Sequence, residues 1–195
     1  MVMDLKKYEW LRTGFPEVFE LISDLFRSAE IIHADVEVCL KQTTNYPESE
    51  TWRRLVVRTA FSYLELLCNK LNQASTIMVK MSGIKLDNVD LNYLRRKKTQ
   101  KNGTTEEREL IFGEYFLNTI RIFAKIQKLD YHPPEEIYWQ HFIKAIKVRN
   151  RLTHPKKSSD LYIGGSEFAE VANGYQWAVN FVSKMNFDLT NRHKE

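Results

Sequence analysis

The sequence predicts an all-α protein, an antiparallel up-and-down bundle of about five helices. Apolar residues recur at steps of three and four in every long segment, which is the period of a helix with one buried face. The chain has only 7 Gly and 5 Pro among 195 residues, so it has little material for the turns of a β architecture. Long helices joined by short loops pack antiparallel, and this gives the predicted bundle.

A chain of 195 residues fits one domain, and we expect residues 1–195 to form a single helical domain. The segment Met1–Trp10 is charged where a secretory signal would be apolar, and no apolar run reaches the roughly 18 residues that a bilayer span requires. These features predict a cytoplasmic protein without a membrane partner. Cys39 and Cys68 lie beside apolar neighbours in helical patterns, so we expect both to be buried and reduced. The net charge of +4 gives a mild preference for anionic partners.

The first two long helices are bounded by proline. Pro16 is tolerated in the first turn of a helix, so we expect helix one to run from about Pro16 to Lys41. Pro47 restricts the residue before it to extended conformations, and helix two begins at about Ser49. Helix two also carries a stripe of polar residues at steps of four and three: Arg58, Ser62, Glu65, Asn69 and Asn72.

The stretch from about 82 to 103 breaks the helical period and carries a basic run at Arg95–Lys101. We expect an exposed basic loop here, with a short helix at about Val89–Arg95. The loop is either a solvated surface or a contact for an RNA backbone. Helix three is expected to open at Thr104, because Thr104 and Glu107 have the spacing of a capping box.

Two further helices complete the predicted bundle. Helix four covers about Glu135–Thr153, and its first turn is acidic, which suits the positive end of the helix dipole. Gly164–Ser166 breaks the chain, and a fifth helix follows it with apolar residues at steps of four and three. The polar tail at about 189–195 is expected to fray.

Helix four places polar residues where its apolar stripe should continue. Trp139, Phe142 and Ile146 lie at steps of three and four, and the next positions in that series are Arg149 and Asn150. A guanidinium on the buried side of a helix is unfavourable unless a partner compensates its charge. The site is therefore either a structural ion pair, with Glu65 as the expected partner, or a functional cleft.

A histidine follows at the end of the same helix. His154 comes five residues after Arg149, which is about 140° around an ideal helix. The two side chains therefore converge only where the helix distorts before Pro155, or where a second copy of the helix supplies the partner. Asn150 and His154 are four residues apart and are neighbours on one helix face.

The run Arg149–His154 resembles the R-x(4–6)-H signature of the HEPN superfamily, in its common form with Asn after the Arg. Members of that family are bundles of four or five helices that commonly dimerise, so that two motifs face each other in one cleft. The resemblance implies a metal-independent endoribonuclease with Arg149 and His154 as catalytic residues and Asn150 in support. The run Arg58–Glu65 is similar to the family's second helix, where an inward acidic residue is frequent, and this implies a supporting role for Glu65.

These residue types suit RNA cleavage without a metal. Histidine titrates near neutral pH and can transfer the protons, while arginine presents a planar charged fork to phosphate oxygens. Four neighbouring cations are expected to contact the RNA backbone: Lys147, Arg151, Lys156 and Lys157. The other histidines lack the spacing of metal ligands, and no Gly-rich phosphate loop is present, so we expect neither a metal nor a cofactor.

The expected partners follow from the resemblance. They are RNA, a second copy of the chain in a homodimer, and an antitoxin or regulatory protein if the role is that of a toxin or a phage-defence protein. Some members of the superfamily have lost activity. The alternative is therefore a non-catalytic HEPN-like helical module that binds a protein partner or a nucleotide.

Overall fold

The computed structural model describes residues 8–95, 97–99, 105–107, 111–132 and 134–192, and nearly all of them are helical, which confirms the predicted all-α class. The helices are α1 (Glu9–Gly14), α2 (Pro16–Asn45), α3 (Glu50–Ser82), α4 (Asn88–Leu94), α5 (Phe112–Ile126), α6 (Glu136–Thr153) and α7 (Gly165–Arg192). A 3-10 helix at Ser158–Leu161 lies between α6 and α7. The five long helices are the five predicted ones, α4 is the short helix expected in the basic loop, and α1 is a further short helix. Their arrangement as a HEPN-like bundle stays a prediction.

The ends of the long helices agree with the predicted ends where proline sets them. Helix α2 begins at Pro16 and α6 ends at Thr153, as predicted, although α2 runs past Lys41 to Asn45. In the described part of the tail, α7 continues to Arg192, and the fraying expected from residue 189 stays a prediction. Leu189 is buried, and burial of this apolar side chain contributes to the stability of the last turns.

The predicted start of helix three is wrong, because the segment between α4 and α5 forms two short strands. Lys97–Thr99 forms strand β1, Thr105–Glu107 forms strand β2, and the two pair antiparallel. A capping box at Thr104 and Glu107 is therefore wrong, because Glu107 lies in an extended strand and α5 begins only at Phe112. The pairing of residues 97–99 with residues 105–107 therefore sets the backbone here in place of a local helix cap.

The short helix expected in the basic loop is confirmed as α4. Its N-cap is Asp87, whose carboxylate accepts a hydrogen bond from the backbone N–H of Asp90. Arg95, the first residue of the basic run, is exposed as predicted. The side chains at 96–101 and residue 104 lie outside the described part of the chain.

The helices group into two compact units. Of the residues that the structure describes, those within 27–65 and 133–183 form the first unit, and those within 2–26, 66–132 and 184–195 form the second. Helices α2, α3 and α7 contribute residues to both units. The motif helix α6 and the first half of α3 belong to the first unit, so the candidate site lies within it.

Aromatic packing in the first unit fixes α6 against α3 and α7. The rings of Phe61 and Phe142 stack with centroids 6.3 Å apart, and Trp177 lies 5.2 Å from Phe142. Gly174 of α7 has no room for a side chain, because a Cβ there would lie 2.8 Å from the carbonyl oxygen of His141. The backbones of α6 and α7 therefore approach closely at this glycine.

The second unit has an ionic cluster around the buried carboxylate of Asp90. Asp90 of α4 is only 1% exposed, and it accepts hydrogen bonds from Arg121 and, at 2.6 Å, from the Nζ atom of Lys125. Lys125 also donates to Asp87 at 2.9 Å. The backbone N–H of Asp90 and the ammonium of Lys125 lower the pKa of Asp87 to about 2. This cluster holds α4 against α5.

Both cysteines occupy core positions, as the sequence predicts. Cys39 and Cys68 are buried, and neither forms a disulfide bond. Burial and the nearby carboxylate of Asp35 raise the pKa of the Cys39 thiol, although a hydrogen bond with Thr59 opposes the rise. Cys39 is therefore a protonated, apolar-like core residue near neutral pH.

Candidate functional site

Helix α6 carries the motif at the edge of its buried face. Its buried residues lie at helical spacing: Phe142, Ala145, Ile146, Val148 and Leu152. Arg149 lies beside this stripe with a side chain that is 24% exposed, so its guanidinium is half-buried. Asn150, which the apolar series placed on the buried side, is exposed, because Val148 and Leu152 occupy the core positions of the last turns. The predicted inward placement of Asn150 is therefore wrong.

Two side chains orient the guanidinium of Arg149. Its Nη2 atom forms an ion pair with Oε1 of Glu65 on α3, which is the partner expected from the sequence. Its Nη1 atom donates to Oδ1 of Asn150 at 2.9 Å. The fork is thus held on two sides, by a carboxylate of one helix and an amide of its own helix.

Arg149 and Glu65 line an open cleft of about 410 Å³ in the first unit. Its apolar floor consists of Val57, Phe61 and Leu152, all of which are buried. Its polar rim consists of Arg58, Ser62, Glu65, Arg149 and Thr153. A cleft of this size with a few converging polar groups is typical of a ligand-binding site.

Arg58 is a rim residue that the sequence analysis did not assign to the site. It is exposed, and its guanidinium has no hydrogen bond or ion pair to any residue that the structure describes. The signal in the sequence was its place in the polar stripe of helix two, seven residues before Glu65. That spacing puts Arg58 and Glu65 on one face of α3, two turns apart.

His154 is the first residue after α6. Its backbone has φ −128° and ψ 61°, which is outside the helical region, and its N–H still donates to the carbonyl of Asn150 at 3.0 Å. The following Pro155 disfavours a helical conformation at His154, so the helix ends here as predicted. The His154 side chain is exposed and does not line the cleft. One chain therefore brings Arg149, Asn150 and Glu65 together and leaves His154 outside the cleft lining.

The four cations predicted to contact RNA differ in their surroundings. Lys147, Lys156 and Lys157 are exposed. Arg151 instead pairs with the carboxylate of Glu167 at 2.6 Å and donates to the carbonyl of Tyr162 at 2.9 Å. These contacts hold Arg151 within its own chain, whereas the three lysines face solvent.

Three arginines form hydrogen bonds to the backbone of the segment that follows the motif. Arg54 donates to the carbonyl of Leu161 at 3.1 Å, and Arg53 donates to the carbonyl of Ile163 at 2.8 Å. Arg151 binds the carbonyl between them, that of Tyr162. Three successive carbonyls thus each have an arginine donor, and Ile163 is fully buried beneath them. The chain between α6 and α7 is fixed by these contacts.

A second ionic group lies elsewhere on α6. Glu170 of α7 accepts a hydrogen bond from the Nζ atom of Lys144 at 2.8 Å and pairs with Nδ1 of His141. The Lys144 ammonium, followed by His141, lowers the pKa of the Glu170 carboxyl below its ordinary value of 4.5. This group ties α6 to α7 near Gly174.

Within the described residues, no group of three or more His, Cys, Asp or Glu side chains is placed to hold a metal ion. No helix of the described chain is long and apolar enough to cross a membrane. Comparison with protein-family models, with curated proteins and with solved structures found no match to this chain.

Proposed function

We propose that this protein is a metal-independent endoribonuclease of the HEPN type. The observation that carries the proposal is the half-buried guanidinium of Arg149, held by Glu65 and Asn150 at the rim of an open cleft. A charged fork fixed beside a cavity is what stabilisation of a phosphoryl transition state requires. The resemblance of Arg149–His154 to the HEPN signature supports the same reading.

The proposed reaction is an attack of the ribose 2′-hydroxyl on the adjacent phosphorus. The 2′-hydroxyl loses its proton to a base, the bond to the 5′-oxygen breaks, and that oxygen receives a proton from an acid. His154 carries one of these proton transfers, and Arg149 stabilises the added negative charge on the phosphate oxygens. The products are a 2′,3′-cyclic phosphate and a 5′-hydroxyl.

The proposed active site is composite. His154 is outside the lining of the cleft that contains Arg149 of the same chain. A twofold dimer that juxtaposes the ends of two α6 helices would bring a histidine from each copy to the phosphate. Closed twofold dimers are the commonest oligomers, so this solution is an ordinary one.

The proposed setting is that of a toxin or phage-defence protein in the cytoplasm. Uncontrolled RNA cleavage damages the cell that makes the enzyme, so an antitoxin or regulatory protein is part of the proposal. Lys147, Lys156 and Lys157 are exposed and supply positive charge for the RNA backbone.

One observation favours a second candidate function. Glu65 compensates the charge of Arg149, and His154 does not line the cleft. A structural ion pair beside a binding cleft would show the same arrangement. The second candidate is accordingly a non-catalytic helical module that binds a protein partner or a nucleotide.

Incubation of the purified protein with total RNA in excess chelator distinguishes the two candidate functions. The ribonuclease proposal predicts cleavage that survives the chelator, leaves 2′,3′-cyclic phosphate ends and spares DNA, which lacks the 2′-hydroxyl. Cutting that requires magnesium, or that includes DNA, would reject the proposed chemistry. Intact RNA under all conditions would favour the binding module.

A further inference from the structure

The cleft has one uncompensated charge among its lining residues. Arg149 is paired with Glu65, whereas the guanidinium of Arg58 has no partner among the residues that the structure describes. Arg58 is also exposed, so its side chain is free to meet a ligand from solvent. The attraction of this cleft for an anion therefore comes mainly from Arg58.

The hydroxyl groups of the rim leave their oxygens as acceptors. Ser62 donates its hydroxyl proton to the carbonyl of Arg58 at 2.9 Å, and Thr153 donates to the carbonyl of Arg149 at 2.9 Å. Both protons are therefore directed at the helix backbone. These oxygens and the Glu65 carboxylate repel an anion, which leaves Arg58 and the free edge of Arg149 as the groups that bind one.

We infer that Arg58 binds a phosphate of a single-stranded nucleic acid, next to the phosphate at Arg149. Arg58 and Glu65 are two turns apart on α3, which is roughly 10 Å along the helix axis. Arg149 lies beside Glu65, so Arg58 is about two helical turns away from the phosphate that Arg149 contacts. Arg58 therefore reaches a different phosphate. The identity of the strand as RNA rests on the proposed function, but the phosphate contact does not require cleavage.

The test measures binding of an uncleavable strand, a 2′-O-methyl RNA of about ten nucleotides, over a range of salt concentrations. One lost phosphate contact on a single strand lowers the slope of log K against log salt by about 0.7, which is about 5-fold in affinity at 0.1 M salt. Arg58→Ala is expected to show both losses. Arg58→Lys should recover the slope, since it keeps the charge.

Arg27→Ala is the matched control, because Arg27 is an exposed arginine of the same unit that does not line the cleft. Its slope should equal that of the wild type. The inference is overturned if Arg58→Ala keeps the wild-type slope while its melting curve shows a folded protein, or if Arg27→Ala loses as much as Arg58→Ala.

The same assay separates this inference from the proposed function. If the wild type fails to cut RNA but binds the uncleavable strand with a slope that depends on Arg58, the nuclease proposal fails and the phosphate contact stands. If the wild type cuts RNA and the Arg58→Ala slope is unchanged, the nuclease proposal stands and the phosphate contact fails.

Discussion

Asp90 in the second unit and Glu65 in the first are both helical carboxylates that bind an arginine from another helix. Asp90 is 1% exposed and shares its two oxygens between Arg121 and Lys125. Glu65 is 37% exposed at the side chain and binds Arg149 at the rim of a cleft. The Asp90 carboxylate is buried between two cations, whereas the arginine that Glu65 binds remains open to solvent on one side.

The difference separates a structural ion pair from a candidate functional one. A sealed carboxylate needs its cations, because a buried charge without a partner strongly destabilises the fold. A half-exposed pair contributes little to stability, since water solvates either partner when the other is removed. We therefore propose that Glu65 serves mainly to orient Arg149.

The largest stability effect is expected for Arg121→Ala. It leaves Asp90 buried with Lys125 alone and removes a charged hydrogen bond from a buried carboxylate, so we expect a loss of about 3 kcal/mol in the free energy of unfolding. Arg149→Ala leaves Glu65 accessible to water and should lose under about 1 kcal/mol. Urea unfolding followed by circular dichroism measures both. Equal losses for the two variants would assign Arg149 a structural role and favour the binding module.

The next effect is expected in the rate of RNA cleavage by Glu65→Gln. The substitution keeps the size of the side chain but removes the charge that orients Arg149, and misplacement of a catalytic group by about 1 Å can reduce a rate about 10²-fold. Stability should change little. Glu37→Gln, an exposed glutamate of α2 in the same unit, is the control and should cut at the wild-type rate. A wild-type rate in Glu65→Gln would show that Arg149 needs no orienting partner.

A smaller stability effect is expected at the contact between α6 and α7. A Cβ at Gly174 would lie 2.9 Å from the Cα atom of Phe142, so Gly174→Ala must push the helices apart, at about 1–3 kcal/mol. Gly165→Ala, in the first turn of the same helix, has nothing within 4 Å of the new methyl group and should be neutral or slightly stabilising. Similar melting temperatures for the two variants would mean that α6 is not held by this close approach.

The smallest effect is a dependence on pH. The pKa of Glu170 is lowered in the folded protein, by Lys144 first and then by His141, so its ion pairs stabilise the fold above the ordinary pKa of 4.5. That contribution is lost as the pH falls through the lowered value. Glu170→Gln should therefore be less stable than the wild type at neutral pH, and the difference should shrink in acid. Parallel melting curves across this range would contradict the assignment.

The parts of the fold that the sequence predicts are those with a local cause. Pro16 and Pro155 mark the start of α2 and the end of α6, because proline restricts the backbone beside it. The predicted start of α5 was wrong, and the reason is physical. The Thr104 and Glu107 spacing is typical of a helix cap, and strand pairing between residues several positions apart decided the outcome.

The candidate site likewise has some features that the sequence predicts and others that it does not. The partnership of Arg149 with Glu65 was predicted, because a half-buried guanidinium needs a carboxylate and Glu65 lies on a polar stripe. The exposure of Asn150 and the role of Arg58 as a cleft residue depend on how α3 and α6 pack, which a helical period alone does not specify. The burial of Asp90 likewise depends on cations that follow it by 31 and 35 residues.

The most direct test of the account compares the rates at which the wild type, His154→Ala and Arg149→Lys cut one RNA substrate in excess chelator. All three are assayed at a temperature where melting curves show them folded, and His33→Ala serves as the control for a half-buried histidine away from the motif. Loss of a positioned acid, base or charge-stabilising donor should lower the rate by about 10²- to 10⁴-fold in both motif variants, even though lysine keeps the charge. His33→Ala should match the wild type. If both folded motif variants cut RNA at the wild-type rate, Arg149 and His154 are not the catalytic residues of this protein.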